Sequence, residues 1–428
     1  MNGLNTNNAP QPSVVIPHFV FGALSLLLIA VLLILADADL LGSYFNNKIV
    51  AITHLTVLGW GMMIVFGALY QLIPVVFETA LFSEKLAKIT FWVSGVSILF
   101  LFCSMWIGDY TGLLPYAAIA MFLSLLLFVV NVILSYKNAR LKNIKSIFVI
   151  IAVFWLLIAE LIGLLISLNF KFNFLSEIHL HYLKIHATVG LLGWFLMLII
   201  GVGSTLLPMF LISHELKERK LKFSYFLING GLVSAVFNWF IWKNTIVDYV
   251  IALSIVIGIF CFVSYVYDSY KKRLRKKLDI GMQYSMIAIA AIFVPFILIG
   301  FVMFNFNLES EFIFRIITLY GFSIIFGFIT TLILGQTYKT LPFIVWLYKY
   351  KSLVGKTKTP LPRELYSEKI ASLQIVAYFL FVTTMVAGLL LNNIILIRIG
   401  AYILIVVAVL YNLNVLKIVR HKVKTEKL

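Results

Sequence analysis

Charge is scarce in this chain. Only 12% of the 428 residues are charged, against about 25% in a soluble globular domain. An ordinary water-soluble fold is excluded on that ground alone. Cysteine is scarcer: Cys103 and Cys261 are the only two, and both lie in apolar runs. They suggest neither a disulfide framework nor a thiolate metal site. Acids number 17 against 34 Lys and Arg. No phosphate-binding loop, Gly-rich dinucleotide fingerprint, Cys-x-x-Cys-His haem attachment or nucleophile elbow is present. Alternating strand-like runs of a membrane barrel are missing, so any spanning elements are helices. Residues 1–14 are polar and lack the basic start of a signal peptide, so the first apolar run reads as a retained helix.

What remains is apolar. Hydrophobic residues make up 62% of the chain, and the mean hydropathy is +1.04. Many runs reach the roughly 20 residues that cross a bilayer as a helix. Twelve spans are expected, at about 15–37, 49–77, 89–108, 112–135, 146–169, 181–212, 223–243, 247–268, 282–305, 312–345, 370–391 and 393–416. The net charge of +17 would point to nucleic acid in a soluble protein. Here the basic residues fall in short loops after even-numbered spans: 85–88, 137–145, 217–222, 271–277, 349–369 and the tail from 417. Loops after odd-numbered spans carry acids instead: Asp37, Asp39, Asp109, Glu177, Glu309 and Glu311. The charge therefore reads as topology, with both termini in the cytoplasm of a cell inner membrane and no nucleic-acid partner.

One frame recurs: Gly-aromatic, six residues, Gly, six residues, Pro. It occurs at Gly59-Trp60, Gly67 and Pro74, then at Gly193-Trp194, Gly201 and Pro208, then at Gly327-Phe328, Gly335 and Pro342. Each copy lies 134 residues after the last. The chain is thus read as an all-α integral membrane protein, a single transmembrane domain over 1–428. Its three parallel four-helix repeats, about 15–135, 146–268 and 282–416, are expected to form a pseudo-threefold bundle. The frame glycines allow close helix approach, and the prolines kink or end spans two, six and ten.

Of the seven histidines, His214 and His421 belong to basic loops. His18 is placed near the inner end of span one, within reach of the interface. His54 and His186 lie near the outer ends of spans two and six, with His179 and His181 just outside His186. All four are candidate metal ligands, His54 and His186 also haem ligands; the alternatives are interhelical hydrogen bonding for His54 and His186 and solvation for His179 and His181. Shifting by the repeat puts His54 in the column of Thr188 and Phe322, and His186 in that of Ile52 and Tyr320. The two histidines are two residues out of step, about 200° around the helix. Glu160, mid-span in span five, is either a proton-path or coupling carboxylate or a protonated group bonded to a neighbouring helix. Lys339 can snorkel to the cytoplasmic surface. Tyr320 is a proton-path candidate or an interface tyrosine.

Twelve helices in three arcs, cytoplasmic termini and outer histidines on spans two and six resemble subunit I of the haem–copper oxidases, including their nitric oxide reductase relatives. His186-Ala-Thr-Val-Gly-Leu-Leu-Gly-Trp194 resembles span six of a small, divergent branch, and Gly335-Gln-Thr-Tyr-Lys-Thr-Leu-Pro-Phe-Ile-Val-Trp346 resembles its span ten. The resemblance implies His54 as a ligand of a low-spin haem, His186 as a copper ligand and Arg315 as a partner of haem propionates. The departures are plain. Span ten has Tyr320-Gly321-Phe322 where the family has two histidines, and residues 223–243 contain no His where it has a copper-binding pair. The full oxygen-reducing set cannot be assembled. The resemblance then implies one haem b, or one copper, in an electron-transport protein of the respiratory chain. A small cytochrome or another respiratory subunit would be its partner, and any catalysis would be that of a membrane oxidoreductase. The rival expectations are a non-enzymatic haem-, copper- or nitric-oxide-related accessory protein and a proton-coupled transporter built around Glu160.

Overall fold

In the computed structural model the chain is helical, and residues 8–304, 310–423 and 426–427 are described. Residue 305 of the expected ninth span, Glu309 and the first seven residues lie outside them. Twelve helices among the described residues are long and apolar enough to cross a bilayer, so the chain is a multi-pass membrane protein. They are Pro12–Leu35, Asn47–Val76, Glu84–Ile107, Leu113–Lys137, Ile144–Phe172, His179–Leu211, Arg219–Trp242, Thr245–Lys271, Ile280–Met303, Glu311–Leu353, Glu368–Leu390 and Ile394–Val419. These are numbered here as spans one to twelve.

Asparagine starts many of the spans. Asn46, Asn143, Asn244 and Asn393 each accept two first-turn backbone N–H groups of the helix that follows. Those donors have no intrahelical partner, and a short side-chain oxygen satisfies them.

The recurring frame has a backbone signature that composition does not reveal. In spans two, six and ten the α-helix gives way to a π-helical stretch, at Leu55–Met62, Val189–Leu196 and Ser323–Thr330. The three stretches begin 134 residues apart, as the frame itself does. Pro74 and Pro208 stand within three residues of a helix end, whereas the helix after Pro342 continues to Tyr350.

The chain forms two compact units. One comprises residues 1–9, 72–94 and 110–277; the other comprises 10–71, 95–109 and 278–428. Within each, the second frame glycine seats the first helix of its own repeat. A Cβ on Gly67 would lie 2.8 Å from His18 Cβ, one on Gly201 2.9 Å from Phe148 Cβ, and one on Gly335 2.6 Å from both Gly281 O and Tyr284 Cβ. Only a residue without a side chain admits a neighbouring helix so closely.

The first frame glycines differ. Gly59 is met by Ser25 Oγ at 3.0 Å and Gly193 by Trp155 Cβ at 2.8 Å, but Gly327 is met only by Ser323 of its own helix, at 3.8 Å. The cause lies in span nine, which is broken. It runs as Ile280–Ala291 and then Val294–Met303, with Pro295 in the first turn of the second piece. Proline offers no N–H to the preceding turn and its ring crowds it. Where span nine parts from span ten, a cavity of about 500 Å³ opens beside Gly327.

Candidate functional site

His54 is the last residue of the α-helical start of span two, immediately before the π-helical stretch. Its Nδ1 lies 2.8 Å from the Val50 carbonyl oxygen. A carbonyl only accepts, so Nδ1 carries the proton and Nε2 carries the lone pair. That is the arrangement in which a histidine serves as an Nε2 ligand, its ring held by a backbone acceptor. His18 repeats it, with Nδ1 2.9 Å from Val14 O. The interface expectation for His18 is corrected, because the residue is fully buried. Its Cβ occupies the space left by Gly67, and its ring meets Tyr70 edge-on at 5.7 Å.

In the other unit, His186 reaches across to span five. Its Nδ1 is 2.8 Å from Ala159 O, and a Cβ on Gly163 would lie 2.8 Å from its Cε1. The imidazole therefore rests in a notch that Gly163 leaves open, one turn from Glu160. Glu160 itself makes no hydrogen bond or ion pair with any described residue. His179 and His181 are spent differently. His179 stacks on Phe170 at 4.3 Å and pairs its Nε2 with Asn169 at 3.1 Å. His181 meets the Tyr182 and Phe240 rings edge-on. Among the described residues no three His, Cys, Asp or Glu side chains converge as a metal site.

Arg315 and Tyr320 share the unit of His54. Tyr320 is half-buried, and its carbonyl accepts from Ser323 Oγ at 2.8 Å. The Arg315 guanidinium lies 5.5 Å from the Phe312 ring centroid, and its Nε is buried with no hydrogen-bond partner among the described residues. Phe312 lines the cavity opened by Pro295, together with Leu319, Phe322, Gly327 and Phe379. No His, Cys, Met or Tyr lines it, so this cavity offers no axial ligand to a haem. Lys339, expected to snorkel, pairs with Asp279 at the start of span nine.

A buried polar column along spans ten to twelve escaped the sequence reading. Asn414 Nδ2 donates to the Tyr338 hydroxyl at 3.2 Å, and that hydroxyl donates to Gln374 Oε1. The Tyr411 hydroxyl donates to Thr337 Oγ1 at 3.1 Å. Tyr378 donates to Phe326 O, and its hydroxyl lies 3.3 Å from Thr331 Oγ1, whose own proton is nearest the Gly327 carbonyl at 2.8 Å. In the same unit Trp60 Nε1 donates to Thr330 Oγ1 at 3.1 Å, which ties the first frame copy to the third. The Tyr284 hydroxyl and Gln374 Nε2 are buried here without a partner among the described residues. The available signal was a polar residue on each of three consecutive apolar runs, but each by itself is unremarkable.

Chemically, the two units offer different things. One presents a ring-fixed imidazole at His54 and a cation at Arg315. The other presents His186 against span five, one turn from Glu160, whose carboxyl makes no hydrogen bond or ion pair among the described residues. Searches of known protein families and of curated proteins match nothing to this chain.

Proposed function

We propose that the chain is a haem-b-binding membrane protein built on the bundle of oxidase subunit I, with its three repeats around a pseudo-threefold axis and both termini in the cytoplasm. One observation carries the reading: the His54 Nδ1–H is held by Val50 O at 2.8 Å at the entry to the first π-helical stretch, which makes Nε2 the nitrogen that carries the lone pair. π-Helical turns cluster at functional sites. When bound, a haem supplies one-electron redox chemistry. The part of this chain is to hold the iron through His54 and to shield it with apolar helices. A small cytochrome or other respiratory subunit is the natural electron partner.

The test is the visible spectrum of protein purified from haem-replete membranes. A Soret band, a pyridine haemochrome of the b type and loss of both in His54→Ala are expected. Absence of a Soret band in the wild-type protein overturns the proposal.

Glu160 favours a second reading, proton-coupled transport. An intramembrane carboxyl without a partner is costly unless it works. Proton-coupled flux in vesicles that is unchanged by Glu160→Gln removes that reading.

A further inference from the structure

We propose that the third repeat binds an anionic phospholipid, with the headgroup phosphate on Arg315 and one acyl chain in the cavity between spans nine, ten and eleven. The inference does not depend on whether haem is bound.

The cavity is fit for hydrocarbon. Its volume is about 500 Å³, and its lining is apolar apart from Ser323 and Thr331. Both hydroxyls are already spent on carbonyls of their own helix, Ser323 on Tyr320 O and Thr331 on Gly327 O, each at 2.8 Å. With both protons committed, hydrogen-bond acceptors on an occupant would find no donor there and would be penalised accordingly. Val294, Phe301 and Leu390 line the cavity and are exposed, so it opens sideways to the lipid. The equivalent space is filled in the other two repeats, by Ser25 against Gly59 and by Trp155 against Gly193. Only the third copy, where Pro295 breaks span nine, leaves the glycine uncovered.

The charge selects the lipid. Arg315 lies one turn inside the end of span ten, on the helix face next to Phe312 and Leu319 of the lining. It forms no ion pair among the described residues, and its Nε is buried without a hydrogen bond. A guanidinium so placed is costly until an anion meets it, and its planar fork matches a phosphate. From Phe312 to Gly327 the helix rises about 22 Å. From Arg315 to Gly327 it rises about 18 Å, close to the roughly 15 Å from headgroup to bilayer centre. A chain anchored at Arg315 therefore ends beside Gly327.

Photoactivatable phosphatidylglycerol and phosphatidylcholine, each with a diazirine in the acyl chain, test this in nanodiscs at equal mole fraction. Crosslinks to residues 323–331 are read by peptide mapping. Phosphatidylglycerol should label this segment about fivefold more: both lipids carry a phosphate that can meet Arg315, but the choline ammonium of phosphatidylcholine cancels its charge and opposes the guanidinium. Arg315→Gln should make the two lipids equal there. Gly327→Phe, whose new side chain enters open space, should abolish labelling of the segment by both lipids and leave labelling elsewhere intact. Equal labelling by both lipids in the wild type, or an undiminished preference in Arg315→Gln, overturns the proposal. So does persistent labelling in a monodisperse Gly327→Phe protein.

Discussion

Trp155 lies directly over Gly193: a Cβ at position 193 would sit 2.8 Å from both Cβ and Cγ of the tryptophan. The Cβ cannot move without moving span five. Gly193→Ala should therefore destabilise the protein by about 1–3 kcal/mol, the usual cost of overpacking, less the up to about 1 kcal/mol that alanine returns in helix propensity. Gly327→Ala, whose Cβ meets nothing nearer than 3.8 Å, should show only that gain. Thermal unfolding in one detergent separates them. Equal melting temperatures would mean that the frame glycines are not packing sites.

The contrast also shows what a sequence can carry. Hydrophobic runs were legible because lipid demands them of every span, and the twelve spans lie within about five residues of expectation except that span ten runs on to Leu353 instead of ending at 345. The frame was legible because close packing against Gly67, Gly201 and Gly335 requires glycine three times over. The π-helical stretches were not, since a one-residue shift in hydrogen bonding leaves composition unchanged. Pro295 was visible, but its effect depends on which neighbour it pulls away from, and that neighbour is Gly327. His54 stood out by its position in the frame. The Tyr338–Gln374–Asn414 contacts did not, because uncharged polar groups in separate spans reveal their pairing only when folded.

Glu177 and Lys243 join two loops through a 2.6 Å ion pair. The hydrogen bond and charge of Lys243 hold the Glu177 carboxyl below its ordinary value of 4.5. A carboxyl lowered by folding adds stability that is complete above the ordinary value and disappears as pH falls through the lower, folded one. Both groups are exposed, so the effect is small and screened by salt. The melting temperature of wild type should exceed that of Lys243→Ala by a constant amount above about pH 5.5. The gap should then close on acidification below the ordinary value, and it should narrow at high salt at every pH. A gap that widens in acid would contradict the ion-pair assignment.

Lys339 is paired with Asp279, which also caps span nine by accepting from Met282 N at 3.1 Å. Its stem lies beside Gly281, where a Cβ would come within 3.1 Å of Lys339 Cγ. The side chains are 10% and 23% exposed, so the pair is largely removed from solvent. Stranding one member of such a pair costs more than deleting both. Lys339→Met should destabilise by about 2–3 kcal/mol, at or below the buried-pair range because some exposure remains. Adding Asp279→Asn should recover more than half of that loss. Denaturant unfolding of the two single variants and the double variant checks this as a cycle, and additive losses would exclude coupling.

His54 and His186 have the same tautomer but different acceptors. The acceptor of His54 is Val50 O, one turn back on its own helix; that of His186 is Ala159 O on another span. The His54 ring is thus set by its own helix. The His186 ring depends on the notch at Gly163, where a Cβ would lie 2.8 Å from Cε1. If haem is held by His54 alone, His54→Ala should remove the Soret band, while His186→Ala and Gly163→Ala leave it unchanged. If His186 is the ligand instead, Gly163→Ala displaces its imidazole, and Gly163→Ala and His186→Ala should both weaken the Soret band while His54→Ala leaves it unchanged. Magnetic circular dichroism of the three variants distinguishes the cases. Haem retained in full with a wild-type spectrum in all three would eliminate both histidines as ligands.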